Sequence, residues 1–138
     1  MKIAADFAKS LSAGAGGVAM VVGLYGDLGS GKTCFMQGVG VALGVKDVMV
    51  SPTFVIEKIY KLGEKNFSHL VHIDAYRLEK EAEMLNLGWR ELIADPKNLV
   101  CIEWPEKIAG IMPPEHIKIN FTFVDEHTRA IEFENYEI

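Results

Sequence analysis

The chain has 138 residues, of which 49% are hydrophobic and 24% are charged, and its formal net charge is −5. This length is typical of one domain of about 100–200 residues, and we predict a single domain over residues 1–138. The aliphatic content excludes a disordered chain. The 14 basic residues are outnumbered by 19 acidic ones and form no evident basic patch, so direct binding to DNA or RNA is not expected. The longest apolar run, residues 18–25, is far shorter than the roughly 20 residues of a membrane span, and no membrane association is predicted.

Strand-like and helix-like segments alternate along the chain. Helices are predicted over residues 1–13, 32–43, 78–87 and 89–93, where apolar residues recur at helical spacing. Strands are predicted over residues 18–25, 70–75, 99–103, 117–124 and 129–133, and residues 51–60 are rich in β-forming residues. In the first helix, Ile3, Phe7, Ala8 and Leu11 are predicted to share one apolar side. The last two strands alternate apolar and polar residues around a turn, which is typical of an antiparallel hairpin.

A glycine loop, residues 26–33, joins the apolar strand 18–25 to the helix 32–43. Its sequence, GDLGSGKT, fits the pattern GxxxxGK[ST] at every specified position. Glycines allow backbone N–H groups to approach a phosphate, and the start of the helix directs its positive dipole end toward the anion. In this pattern Lys32 is expected to reach the β- and γ-phosphates, and the Thr33 hydroxyl to bind Mg²⁺. We therefore predict an α/β, three-layer P-loop NTPase fold, with a mostly parallel sheet and an antiparallel C-terminal hairpin at its margin.

Two carboxylates are placed where a second Mg²⁺ contact is needed. Glu103 ends the apolar strand 99–103, and Asp74 lies at the end of the strand 70–75. The carboxyl ends of parallel strands meet at one edge of a sheet, where ligands gather. Both residues are therefore candidates for the metal site, and the alternative for each is a solvated strand end.

Three further features allow a functional or a structural interpretation. The segment Ser51–Phe54 resembles the Ser/Thr-containing switches that sense a γ-phosphate, but Pro52 alone could explain it as a strand entry. His72 lies two residues before Asp74, on the same face of its strand, and the pair could orient a water. The alternative is an ordinary strand histidine. The cysteines, Cys34 and Cys101, are predicted to be buried free thiols.

Four motifs in order carry a resemblance to a known family. They are GDLGSGKT at 26–33, SPTF at 51–54, HIDAYRL at 72–78 and IEWPE at 102–106. This set resembles the bacterial TsaE (YjeE) family, the P-loop ATPases of tRNA threonylcarbamoyladenosine (t6A) biosynthesis. The resemblance implies a cytoplasmic ATPase that uses ATP and Mg²⁺ and acts with TsaD-like and TsaB-like partners on position 37 of tRNA. It also implies that tRNA is contacted only through that complex.

The resemblance also implies roles for individual residues. It assigns Thr33 and Glu103 to Mg²⁺, and Asp74 and Thr53 to hydrolysis. The nucleotide-binding residues that it implies are Gly29, Ser30, Gly31, Lys32, Thr33, Cys34, Glu106 and Arg129. Of the three arginines, Arg77 follows Asp74 by three residues and is the best candidate to swing toward a γ-phosphate, although a surface ion pair with Glu79 or Glu81 is the alternative.

Other functions remain open on the sequence alone. A small P-loop kinase would use several arginines to neutralise the transferred phosphoryl group. The chain has only three arginines and no arginine-rich segment, which argues against a kinase. A guanine-specific [NT]KxD motif is absent, which argues against a GTPase. A nucleotide-binding adaptor whose hydrolysis is incidental is compatible with every motif.

Overall fold

Strands of one mixed sheet organise the protein. A computed structural model describes residues 2–11, 17–27, 30–46, 57–63, 66–126 and 128–136. Within these residues the strands are β1 (Met20–Tyr25), β2 (Glu57–Lys61), β3 (His69–Asp74), β4 (Asn98–Glu103), β5 (Ile117–Asp125) and β6 (Thr128–Glu134). Their order in the sheet is β2-β3-β4-β1-β5-β6. The four inner strands run parallel, and β2 and β6 pair antiparallel at the two margins.

Helices cover both faces of this sheet and produce the predicted three layers. The described helices are α1 (Lys2–Ser10), α2 (Lys32–Ala42), α3 (Glu81–Asn86), α4 (Trp89–Ala94) and the 3-10 helix Pro105–Ile111. Every residue of β4 is buried. Leu99 and Cys101 belong to the apolar core under α1 and α2, whereas Val100 and Ile102 belong to the core under α3, α4 and the 3-10 helix. A strand buried on both faces reads as a continuous apolar run, which is why its sequence shows no polar alternation.

The predicted elements are confirmed, with shifted boundaries. In α2, the four predicted core residues Phe35, Met36, Val39 and Leu43 are buried. The helix predicted from residue 78 begins instead at Glu81. The carboxylate of Glu83 turns back to accept the backbone N–H groups of residues 79 and 80, so the chain before Glu81 is a cap and not a helical turn.

Some predictions of detail are wrong. Ile3 is 48% exposed, and Ala4 takes its place on the buried side of α1. The antiparallel strand β2 overlaps the stretch 51–60 that is rich in β-forming residues, although its bounds and pairing were not predicted. The 3-10 helix was not predicted, because a short element of this kind carries no periodicity of its own. Within the part of the chain that the structure describes, no helix is long and apolar enough to cross a membrane.

The sheet brings the predicted polar residues to one edge. In the parallel register, Asp74 of β3 lies beside Glu103 of β4, and Glu103 lies beside Leu24 of β1. The glycine loop leaves β1 at this same edge and leads into α2. The carboxyl ends of three parallel strands therefore converge on the start of one helix.

Candidate functional site

The glycine loop needs glycine at two described positions. Gly26 has a φ of +145°, and a Cβ there would lie 2.6 Å from the backbone oxygen of Phe121. Gly31 has a φ of +103° at the N-cap of α2, a conformation that L side chains rarely adopt. Ser30 is buried, and its hydroxyl has no hydrogen-bond partner within the described ranges. Gly29 lies outside the described residues.

Lys32 is a buried cation at the first position of α2. It is 4% exposed, its Nζ donates to the backbone oxygen of Gly26 at 2.5 Å, and it lies 3.7 Å from the centroid of the Trp104 ring. Burial lowers the pKa of the Lys32 ammonium, and the carboxylates of Glu103, Glu106 and Asp74 partly oppose this shift. Among the described residues, a carbonyl and an aromatic ring take the place of water around this ammonium, which leaves it well prepared to bind an anion.

Thr33 and Glu103 meet where the helix starts and β4 ends. The Thr33 hydroxyl donates to Glu103 Oε1 at 3.4 Å. The second oxygen of the same carboxylate, Oε2, accepts from Nε2 of His72 at 2.7 Å. The alternative of a solvated strand end is therefore wrong for Glu103, which is buried.

Asp74 is the second carboxylate at this edge, and it is 7% exposed. Its Oδ1 accepts the backbone N–H of Tyr76 at 3.0 Å. Burial raises the pKa of the Asp74 carboxyl, the Tyr76 N–H opposes this, and the nearby charge of Glu103 raises the pKa further. Two adjacent carboxylates in a desolvated edge form a site that favours a cation.

Trp104 links the carboxylate edge to the lysine. It adopts a left-handed conformation with a φ of 59°, directly after Glu103, and its ring lies 5.1 Å from that of Tyr76. This turn aims the ring at Lys32 while the chain enters the 3-10 helix. Glu106 is exposed on that helix and raises the pKa of the Tyr25 hydroxyl, after the larger effect of burial.

Arg129 reaches the loop from the terminal hairpin. Its Cγ would lie 3.8 Å from a Cβ on Gly31, and its guanidinium donates to the Asp125 backbone oxygen at 2.6 Å and lies 4.5 Å from the Phe123 ring centroid. The hairpin therefore carries an exposed arginine and an exposed aromatic residue next to the start of α2. The sequence placed Arg129 in the hairpin, and the family resemblance implied a nucleotide contact for it; the structure places it beside the loop.

Other predicted residues lie apart from this cluster or outside the description. Arg77 is exposed on the turn that follows β3. Thr53, with the whole segment 51–54, lies outside the described residues. The prediction of two buried thiols is wrong for Cys34, which is exposed on α2, and is confirmed for Cys101. Burial raises the pKa of the Cys101 thiol to about 12, so it stays protonated and unreactive.

The contact between His72 and Glu103 was missed by sequence reasoning. His72 was considered as a partner of Asp74 two residues along the same strand, whereas its hydrogen bond crosses to the neighbouring strand. Spacing along one strand shows which residues share a face, but only the register between strands shows which of them touch.

The oxygen pair of Thr33 and Glu103 suits a hard cation. Across the described ranges, no group of three or more His, Cys, Asp or Glu side chains has the arrangement of a metal site. Mg²⁺ does not need one, because it retains several waters and takes one or two protein oxygens beside those of a phosphate. A hydroxyl and a carboxylate 3.4 Å apart at the start of α2 match that requirement.

The fold and this edge together define a class: three-layer α/β proteins in which a GxxxxGK[ST] loop joins a buried parallel strand to a helix. A family model described as "Threonylcarbamoyl adenosine biosynthesis protein TsaE" matches residues 1–131. The chain belongs to the TsaE family, the proteins of tRNA threonylcarbamoyladenosine biosynthesis.

Several characterised relatives are similar over most of their length. The tRNA threonylcarbamoyladenosine biosynthesis protein TsaE of Nostoc sp. is 39% identical over 115 residues, which is 81% of this chain and 68% of that protein. The protein of the same name from Treponema pallidum is 32% identical over 80% of this chain and 78% of its own length. The crystal structure of Bacillus subtilis YdiB superposes with a TM-score of 0.74 at 27% identity, covering 96% of this chain and 75% of that one.

Proposed function

We propose that this chain is a cytoplasmic, Mg²⁺-dependent ATPase that acts in t6A biosynthesis together with TsaD-like and TsaB-like partners. The observation that carries the proposal is the meeting of Lys32, Thr33 and Glu103 at the carboxyl edge of the parallel strands. Family membership supports the pathway. The arrangement of these three residues supports the binding of a nucleoside triphosphate with Mg²⁺.

Phosphate binding is supported by the state of the loop. The buried ammonium of Lys32 lies between the Gly26 carbonyl and the Trp104 ring, and a phosphate oxygen is a stronger partner than either. The N–H groups at the start of α2 add a positive dipole end. Arg129 lies beside the loop, and Glu106 is near enough to Lys32 to raise its pKa; the family resemblance implies nucleotide contacts for both residues.

Thr33 and Glu103 would hold Mg²⁺. Bound there, the ion would neutralise negative charge on the β- and γ-phosphates while the γ-phosphoryl group is transferred to water. Glu103 would contribute Oε1, since Oε2 is engaged by His72. Asp74, one strand away, would orient the attacking water or accept its proton, and burial, which raises its pKa, makes its carboxylate a stronger base. Thr53 would act in the switch segment.

The partners are proposed to complete the site. Lys32 is the only buried lysine or arginine among the residues that the structure describes, and Arg77 is exposed. A supplied positive charge can be worth about 10³–10⁵ in the rate of such reactions. We therefore propose slow hydrolysis by the chain alone and faster hydrolysis when the partners position Arg77 and the segment 51–54. The negative net charge supports contact with tRNA only through those partners.

The test is Mg²⁺-dependent phosphate release from ATP, measured for the chain alone and then with its two partners and tRNA. Thr33→Val removes the hydroxyl while keeping the shape, and is expected to lower the rate by at least about tenfold. Thr122→Val, at an exposed position of β5, is the matched control and should leave the rate unchanged. An unchanged rate in Thr33→Val would contradict the assignment. Full support of the partners by binding alone would favour the adaptor, and phosphate appearing on another acceptor would favour a kinase.

A further inference from the structure

The carboxylate of Glu103 is held from two directions by two different residues. Oε2 accepts from Nε2 of His72 at 2.7 Å, and Oε1 accepts from the Thr33 hydroxyl at 3.4 Å. The short contact fixes one oxygen, and the long contact leaves the other weakly engaged. The two oxygens therefore have different freedom to accept a new partner.

His72 is placed below the site, on its core side. The side chains of His72 and Glu103 are 1% and 4% exposed. In the parallel register His72 lies beside Cys101, so its hydrogen bond to Glu103 runs diagonally to the next residue of β4 on the same face. A carboxylate buried to this degree needs a donor, and the histidine supplies it.

The second ring nitrogen of His72, Nδ1, is buried and makes no hydrogen bond to any residue that the structure describes. The bond through Nε2 is therefore the polar contact that orients this side chain. A histidine buried only to fill the core would satisfy its ring nitrogens in the core, whereas this one directs its donor at the end of β4.

We infer that His72 is a positioning residue: by donating from Nε2 to Glu103 Oε2, it turns Glu103 Oε1 toward Thr33 and a divalent cation. This inference rests on the proposed function. A residue that hydrogen-bonds to a metal ligand and so orients it is typically worth about 10–100-fold in metal affinity. Removing the Nε2 donor should therefore weaken cation binding, with little effect on nucleotide bound without a cation.

The position of the donor can be tested by amide substitutions. The amide nitrogen of glutamine can take the place of Nε2, whereas that of asparagine lies nearer to Nδ1. His72→Gln should keep the wild-type affinity, and His72→Asn and His72→Leu should each weaken it by about 10–100-fold. His69→Gln, a partly exposed histidine on the same strand, is the matched control and should bind as wild type.

The measurement is the affinity of the full chain for Mn²⁺, which shares the oxygen preference of Mg²⁺, by electron paramagnetic resonance with a non-hydrolysable ATP analogue. Circular dichroism shows which variants are folded. One folded variant of the two expected to bind weakly, His72→Asn or His72→Leu, is enough for the test. Wild-type affinity in a folded His72→Asn or His72→Leu, or an equal loss in His72→Gln, would overturn the inference and leave the proposed function intact. Absence of nucleotide-dependent Mn²⁺ binding in the wild-type chain would overturn both.

Discussion

Substitution of Glu103 separates its structural role from its chemical role. Glu103→Ala removes the acceptor of the His72 Nε2–H and the oxygen that faces Thr33, whereas Glu103→Gln keeps one carbonyl oxygen and removes the charge. Both variants should lose Mg²⁺-dependent hydrolysis. Only the alanine variant should lose substantial stability.

The size of the stability effect follows from the hydrogen bond to His72. A buried N–H left without an acceptor costs about 1–3 kcal/mol. For a domain of this length, that is a decrease of roughly 4–12 °C in the midpoint of thermal unfolding. In Glu103→Gln the amide oxygen can still accept from His72, and the loss of repulsion with Asp74 offsets part of any remaining cost. The glutamine variant should therefore unfold within about 1 kcal/mol of wild type.

Thermal unfolding by circular dichroism and phosphate release from Mg²⁺-ATP are the two assays. Glu132→Ala, at an exposed position of β6, serves as the control for both. Hydrolysis of ATP by Glu103→Gln at the wild-type rate would refute the role of the Glu103 charge in the metal site. Wild-type stability in Glu103→Ala would refute the structural role of its hydrogen bond to His72.

Three further predictions concern the loop and the carboxylate edge. Gly26→Ala should destabilise the fold by several kcal/mol in denaturant titration, because the new Cβ would lie 2.6 Å from the Phe121 oxygen, while Gly63→Ala, which meets open space, should be close to neutral. Asp74→Asn should raise the free energy of unfolding in denaturant titration at neutral pH by about 0.5–2 kcal/mol. The reason is that burial raises the pKa of the Asp74 carboxyl, so its ionised form is disfavoured in the folded state. A lower free energy of unfolding in Asp74→Asn would contradict this. Asp74→Ala and Arg77→Ala should each abolish the partner-dependent gain in hydrolysis while ATP binding, measured by calorimetry, falls less; a retained gain would exclude them from the completed site.

The sequence predicts the layers of this fold because burial leaves a clear pattern. From Leu99 to Ile102, β4 is apolar on both faces, and such a run is typical of a parallel strand between two helical layers. The same pattern places Asp74 and Glu103 at one edge, because parallel strands end together. The positions of the two carboxylates and of the glycine loop could therefore be predicted from local sequence patterns alone.

Contacts between elements could not be predicted in the same way. The His72–Glu103 bond depends on the register of β3 and β4, and the left-handed turn at Trp104 depends on the docking of the following helix. These features belong to tertiary packing and become visible only when the strands and helices are assembled.

The most direct test of the proposed site is calorimetric titration of ATP, with and without Mg²⁺, into the wild-type chain and Lys32→Ala. Burial lowers the pKa of Lys32, so its charge is disfavoured in the folded chain, and we expect Lys32→Ala to fold. We predict that the wild-type chain binds ATP more tightly with Mg²⁺, that folded Lys32→Ala binds at least about tenfold more weakly, and that Lys46→Ala, at an exposed lysine beyond α2, binds as wild type. Equal ATP affinity in wild type and Lys32→Ala would contradict the account.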